Sequence, residues 1–86
     1  MAETFLLEVV TPQSVMVSAD VEEMSAQGAE GEFGVLPGHT FFFTRITPGV
    51  LSYRVQNNGR SLMLGEGFAE VTQDRVTILV DSAQQQ

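Results

Sequence analysis

The sequence predicts an all-β fold, a flattened sandwich or barrel, and three observations carry that expectation. Apolar and polar residues alternate at period two in several segments, the spacing of a half-buried strand. Glycine, proline and an Asn-Gly pair punctuate the chain at short, regular intervals. No segment sustains the 3.6-residue period of a long helix. Seven or more short strands on these terms argue for two packed sheets or a closed one.

The elements follow in order. Phe5, Leu7 and Val9 share one face of an extended segment, with Leu6, Glu8 and Val10 on the other. Thr11-Pro12-Gln13 ends it, because proline cannot donate to a sheet ladder. Val15, Val17, Ala19 and Val21 then alternate with Met16, Ser18, Asp20 and Glu22. The phase slips after that, and Met24 and Ala26 continue from the opposite face, as a bulge would produce. A helical turn competes here, since Asp20-Val21-Glu22-Glu23 resembles a capping box. Gly28 to Gly38 holds four glycines and a proline around a short strand at Phe33–Val35. Thr47-Pro48-Gly49 makes a corner, and Leu51, Tyr53 and Val55 alternate with Val50, Ser52 and Arg54. Asn58-Gly59 tolerates positive φ and predicts a two-residue hairpin turn, with Arg60 to Leu64 returning. Phe68 to Val71 forms one arm of a further hairpin, Gln73-Asp74 its turn, and Val76, Ile78 and Val80 the inward side of the other arm. The expected domain is 1–81. Residues 82–86, without a core-forming side chain, are expected to fray.

The chain has 86 residues, 43% hydrophobic and 17% charged, enough for one core and no second. Eleven acids against four arginines give a net charge of −7, a balance that repels phosphate backbones and argues against nucleic-acid binding. The absence of cysteine removes disulfides and thiolate metal sites. The absence of lysine removes Schiff-base chemistry and a Walker lysine. Glu3 and Glu8 stand where a secretory signal needs basic and apolar stretches, and no apolar run is long enough for a membrane span, so no direct membrane insertion is expected.

Few residues could do chemistry. His39 is the single histidine, in a glycine-rich loop, but an imidazole needs an orienting carboxylate and a nucleophile to act. A turn-fixing or interface role is the expectation, and a small hydrolase using His39 and Glu32 the weakest reading. One histidine and no cysteine leave only carboxylates for a metal, at no calcium-loop spacing. Gly28, Gly31, Gly34 and Gly38 fit neither dinucleotide nor Walker spacing, and Glu30 and Glu32 between them would repel phosphate. Neither a cofactor nor a metal is therefore expected.

Two features invite a partner instead. Five carboxylates (Asp20, Glu22, Glu23, Glu30 and Glu32) lie within thirteen residues with no basic residue among them. They read either as a solvated face or as an edge that meets a basic partner. In a strand, Phe41-Phe42-Phe43 cannot all enter one core. Either Phe42 points in while Phe41 and Phe43 point out, or the reverse holds.

The segment Gly31-Glu32-Phe33-Gly34-Val35-Leu36-Pro37-Gly38-His39 resembles the signature of the epsilon subunit of F-type ATP synthase. The resemblance continues through Leu7–Pro12, Thr47-Pro48-Gly49, Gly67–Val71 and Val76–Ala83, covering nearly the whole chain in order. It implies a flattened sandwich of about ten strands, the amino-terminal domain of that subunit, and selects strand over helix at 20–26. It implies a non-catalytic role in the central stalk, between the gamma subunit and the c ring, during proton- or ion-driven ATP synthesis. Glu30, Gly31, Glu32 and Phe33 match the segment facing the c ring, whose loops typically bear arginine. Thr11, His39 and Thr44 match positions toward gamma, and Phe42 and Phe43 lie close enough in sequence to join them. Two distinct faces are expected, polar toward the ring and more apolar toward gamma. The expected location is peripheral, on the cytoplasmic face of the inner membrane or the stromal side of a thylakoid. A free-standing sandwich module for a peptide or sugar is the alternative.

Three departures stand out. Phe41 occupies a position where many relatives carry proline, and Glu66 replaces one glycine of a common Gly-Gly-Phe. The sequence stops at Gln86, before the helical hairpin typical of the family, so neither an inhibitory switch nor a bound nucleotide is expected of these 86 residues.

Overall fold

The computed structural model describes residues 3–38 and 41–86. The described residues form ten strands: β1 (Phe5–Val10), β2 (Val15–Val21), β3 (Glu23–Gly28), β4 (Gly31–Val35), β5 (Phe42–Ile46), β6 (Gly49–Val55), β7 (Asn58–Leu64), β8 (Gly67–Val71), β9 (Arg75–Val80) and β10 (Ala83–Gln85). They join in one curled sheet in the order β10-β7-β6-β3-β5-β8-β9-β1-β2, with β4 hydrogen-bonded to β3 alone. Every pairing is antiparallel except β1 with β9. The body measures 34 × 24 × 20 Å, the flattened sandwich that the sequence predicts.

Alternation explains the core. Phe5, Leu7 and Val9 of β1 meet Val76, Ile78 and Val80 of β9, Ala69 and Val71 of β8, and Leu51 and Leu62 of β6 and β7, all buried. Removing this apolar area from water is the main favourable term for so small a chain.

The phase slip between β2 and β3 is a corner rather than a bulge within one strand. At Glu22 the chain leaves its pairing with β1 and enters a pairing with β6, so the buried residues change from the odd series ending at Val21 to the even series beginning at Met24. Strands that pass between the layers of a sandwich need such a bend. Strand replaces helix at 20–26 for the same reason: both flanks lie in ladders.

Two local expectations are corrected. The β6–β7 turn is formed by Gln56 and Asn57, with φ of 50° and 69°, and Asn58 and Gly59 already belong to β7. Val55 pairs with Asn58 and Leu51 with Leu62. Sliding the turn two residues shifts every cross-strand partner by an even number, so the apolar faces match either way and alternation cannot choose. The expected frayed tail is also partly strand: Ala83, Gln84 and Gln85 pair with Leu64, Met63 and Leu62. Backbone ladder bonds hold β10, with half-buried Ala83 packed on the core.

Glu66 is accommodated without strain. Its side chain is exposed, its N–H donates to Asp81 Oδ1 (3.1 Å), and its carbonyl accepts from Asp81 N–H (2.9 Å).

Candidate partner-binding surfaces

Ala29 and Glu30 form the tight turn between β3 and β4, with Gly28 paired to Gly31. Gly31 adopts φ +117°, a conformation that side-chain-bearing residues rarely take, so glycine is required where the turn closes. The Ala29 N–H donates to the Arg45 carbonyl at 3.0 Å, anchoring the turn to β5. Glu30 and Glu32 are exposed and take part in no ion pair among the described residues. Phe33 is half-buried and meets Phe42 edge-on, with centroids 5.4 Å apart and planes at 88°.

The phenylalanine triplet resolves with Phe42 turned in and its neighbours out. Phe42 is half-buried, whereas Phe41 is 76% and Phe43 65% exposed. Phe43 stacks on Phe68 of β8, with centroids 5.5 Å apart and 25° between planes. The Thr44 hydroxyl donates to the Arg45 carbonyl at 3.3 Å.

The residues expected to face two partners adjoin one another. Ala29–Phe33 and Phe42–Arg45 line one open groove of about 660 Å³. The expected separation into two faces is therefore incomplete, because the β3–β4 turn is anchored near the end of β5 at Arg45 while Phe33 of β4 meets Phe42 at its start.

Thr11 sits apart, in the β1–β2 turn, and is buried. Its Oγ1 accepts from the N–H groups of Gln13 (3.3 Å) and Ser14 (3.2 Å) and donates to the Ser14 carbonyl (3.2 Å). The hydroxyl is engaged within the turn it shapes. His39 lies outside the described residues.

An apolar row that the sequence reading missed runs from this turn toward Phe43. Register places Val15 beside Val10, Val10 beside Leu79 and Leu79 beside Phe68, against which Phe43 stacks. Val15, Leu79 and Phe68 are about half exposed or more. The signal was present: Phe68 and Leu79 fall out of phase with buried Ala69, Val71, Ile78 and Val80.

The acidic block divides in two. Glu22 accepts from Arg54 Nε at 3.0 Å and from the Asn57 N–H at 3.1 Å, and Glu23 accepts from Arg54 Nη1 at 3.0 Å. The Asn57 amide, aided by the Arg54 guanidinium, holds the Glu22 carboxyl below the ordinary carboxylate range. These two acids serve the fold, while Asp20, Glu30 and Glu32 remain exposed. Among the described residues no three metal-ligating side chains gather as a group.

The fold and these surfaces define a β-sandwich module with an acidic turn beside an aromatic strand and an exposed apolar row. The sequence model of the ATP synthase delta/epsilon chain β-sandwich domain matches residues 4–86, and the chain belongs to that family. It is 48% identical over 85 residues to the ATP synthase epsilon chain of Desulfosudis oleivorans, covering 98% of this chain and 64% of that one. It is 45% identical over 84 residues to the epsilon chain of Citrifermentans bemidjiense, covering 98% and 61%. The chain thus spans somewhat under two thirds of the length of these relatives. A cryo-EM structure of the Euglena gracilis mitochondrial ATP synthase (OSCP, F1 and c ring) contains a chain that superposes with a TM-score of 0.90 at 23% identity, covering 99% of this chain and 55% of that one. A chain in the central stalk and c-ring structure of the Tetrahymena thermophila mitochondrial ATP synthase gives 0.80 at 15%, covering 98% and 68%. At these identities the structural likeness establishes the fold.

Proposed function

We propose that this chain is a non-catalytic central-stalk component of an F-type ATP synthase that binds gamma and the c ring together. The carrying observation is the exposed Glu30–Glu32 segment, in no ion pair among the described residues, in a chain of the delta/epsilon family and bordering one groove with the aromatic strand β5. Carboxylates at Glu30 and Glu32 suit arginine-bearing loops of the ring, because a guanidinium–carboxylate contact can be bidentate and resists sliding. Gly31 and Phe33 shape and support that turn.

Phe42, Phe43 and Thr44 supply the gamma contact, with His39 beside them in sequence and Thr11 acting through its turn. The apolar row from Val15 to Phe68 extends this surface, and a partner covering it would remove large aromatic and aliphatic area from water. Joining both contacts through one sheet makes the second binding event effectively intramolecular once the first is made. The chain sits peripherally, on the cytoplasmic face of the inner membrane or on the stromal side of a thylakoid. Family membership does not favour a free-standing peptide- or sugar-binding module.

Binding of the 86-residue chain to purified gamma–c-ring assemblies, titrated with salt, tests the reading. A charge-led ring contact weakens as ionic strength rises, and Glu32→Lys weakens it at low salt. Binding indifferent to both would refute the ring contact, and failure to capture gamma would refute the second.

A further inference from the structure

We infer that Phe33 and Phe42 act as a latch that positions the acidic turn, making Phe42 a determinant of ring binding without touching the ring. The ring part of this inference rests on the function proposed above; the latch itself does not.

Among the described residues β4 has β3 as its only strand neighbour, so ladder hydrogen bonds fix just one of its edges. A strand held on one side can swing with its turn unless side chains fasten the other. Phe33 supplies that fastening by presenting its ring edge-on to Phe42 of β5 at 5.4 Å and 88°, the geometry aromatic quadrupoles favour. Gly28 makes room for it: a Cβ there would approach the Phe33 ring carbons to 3.2 and 3.3 Å. The same corner carries the Ala29 N–H bond to the Arg45 carbonyl and the Thr47 N–H bond to the Gln27 carbonyl, at 3.0 and 3.1 Å. Ring contact, glycine and hydrogen bonds together set where Glu30 and Glu32 stand relative to Phe43 and Thr44 across the groove. A residue on the gamma side thereby sets the geometry of the ring side.

Amide exchange and ring affinity are measured on the wild-type chain, Phe33→Leu, Phe42→Leu, the double variant and Phe42→Tyr. Phe42→Leu is expected to speed exchange of the Ala29 amide by about twofold to tenfold, the range an aromatic pair supports. It also weakens ring binding by a comparable factor. Phe42→Tyr, which keeps the ring, restores both. Phe33→Leu adds nothing in the Phe42→Leu background, because the contact is already gone. Exchange of the Glu22 amide, bonded to the Arg54 carbonyl at the opposite end of β3 from Ala29, stays constant and separates a local effect from general loosening. Unchanged Ala29 exchange, or additive effects of the two leucines, overturns the latch. Ring affinity unmoved by Glu32→Lys would instead remove the ring as partner, and the exchange result would still decide the latch.

Discussion

Arg54 Nε lies 3.0 Å from Glu22 Oε1, and that one carboxylate oxygen also receives the Asn57 N–H at 3.1 Å. The corner where the chain passes from β2 to β3 is thus fastened to the β6–β7 turn, residues more than thirty positions away in sequence. Glu22→Gln is expected to lower the thermal midpoint by a few degrees and to raise amide exchange at Asn57.

The same contact gives a pH dependence of known sign. The folded-state pKa of Glu22 lies below the ordinary value of 4.5, so its contribution is complete above that value. It is lost as pH falls through the folded-state pKa. Urea midpoints of wild type and Glu22→Gln therefore differ at pH 7, hold that difference to about pH 5, and converge in more acidic solution.

Placement of the hairpin turn yields a second test. Gln56 and Asn57 occupy the left-handed region, where non-glycine residues are strained by about 1 kcal/mol each. Replacing the pair by Asn-Gly is expected to stabilise the chain by about 1 kcal/mol. Asn58→Gly, inside β7, gives no such gain. Chemical denaturation distinguishes the two.

In the core, Leu51 faces Leu62 across β6 and β7, and neither has solvent contact. Leu51→Ala should cost about 2–5 kcal/mol. A chain of this size has about 5–10 kcal/mol in all, so the variant should be largely unfolded near 50 °C. Circular dichroism melts report it.

Phe68→Ser tests the apolar row. Phe68 is 47% exposed, so stability should change by no more than about 1 kcal/mol, mostly from the lost stack with Phe43. Affinity for gamma should fall about tenfold or more if the row is part of that contact. Surface plasmon resonance against immobilised gamma measures the affinity.

Most of the strand pattern was legible because alternation reports burial directly: Leu7, Val9, Val76 and Ile78 could face only inward. The corner at Glu22 showed as a broken phase, but its cause did not, since the pairing of Glu22 with Arg54 depends on chain segments far apart. The turn at Gln56-Asn57 was missed because two registers keep the same apolar face. The strand at 83–85 was missed because main-chain ladder bonds leave no mark in side-chain identity. Of the candidate site, residue types identified the acidic turn and the triplet. Their convergence on one groove, and the loss of Glu22 and Glu23 to internal pairing, depended on tertiary geometry.

The parallel pairing of β1 with β9 has a consequence for biosynthesis. β1 is made before β9 and must wait for it before its second edge is covered. Until then Leu7 and Val9 lie on an incomplete sheet, open to other nascent chains. Contacts of such long sequence separation slow folding, so closure of this sheet should come late and be sensitive to crowding by other unfinished copies.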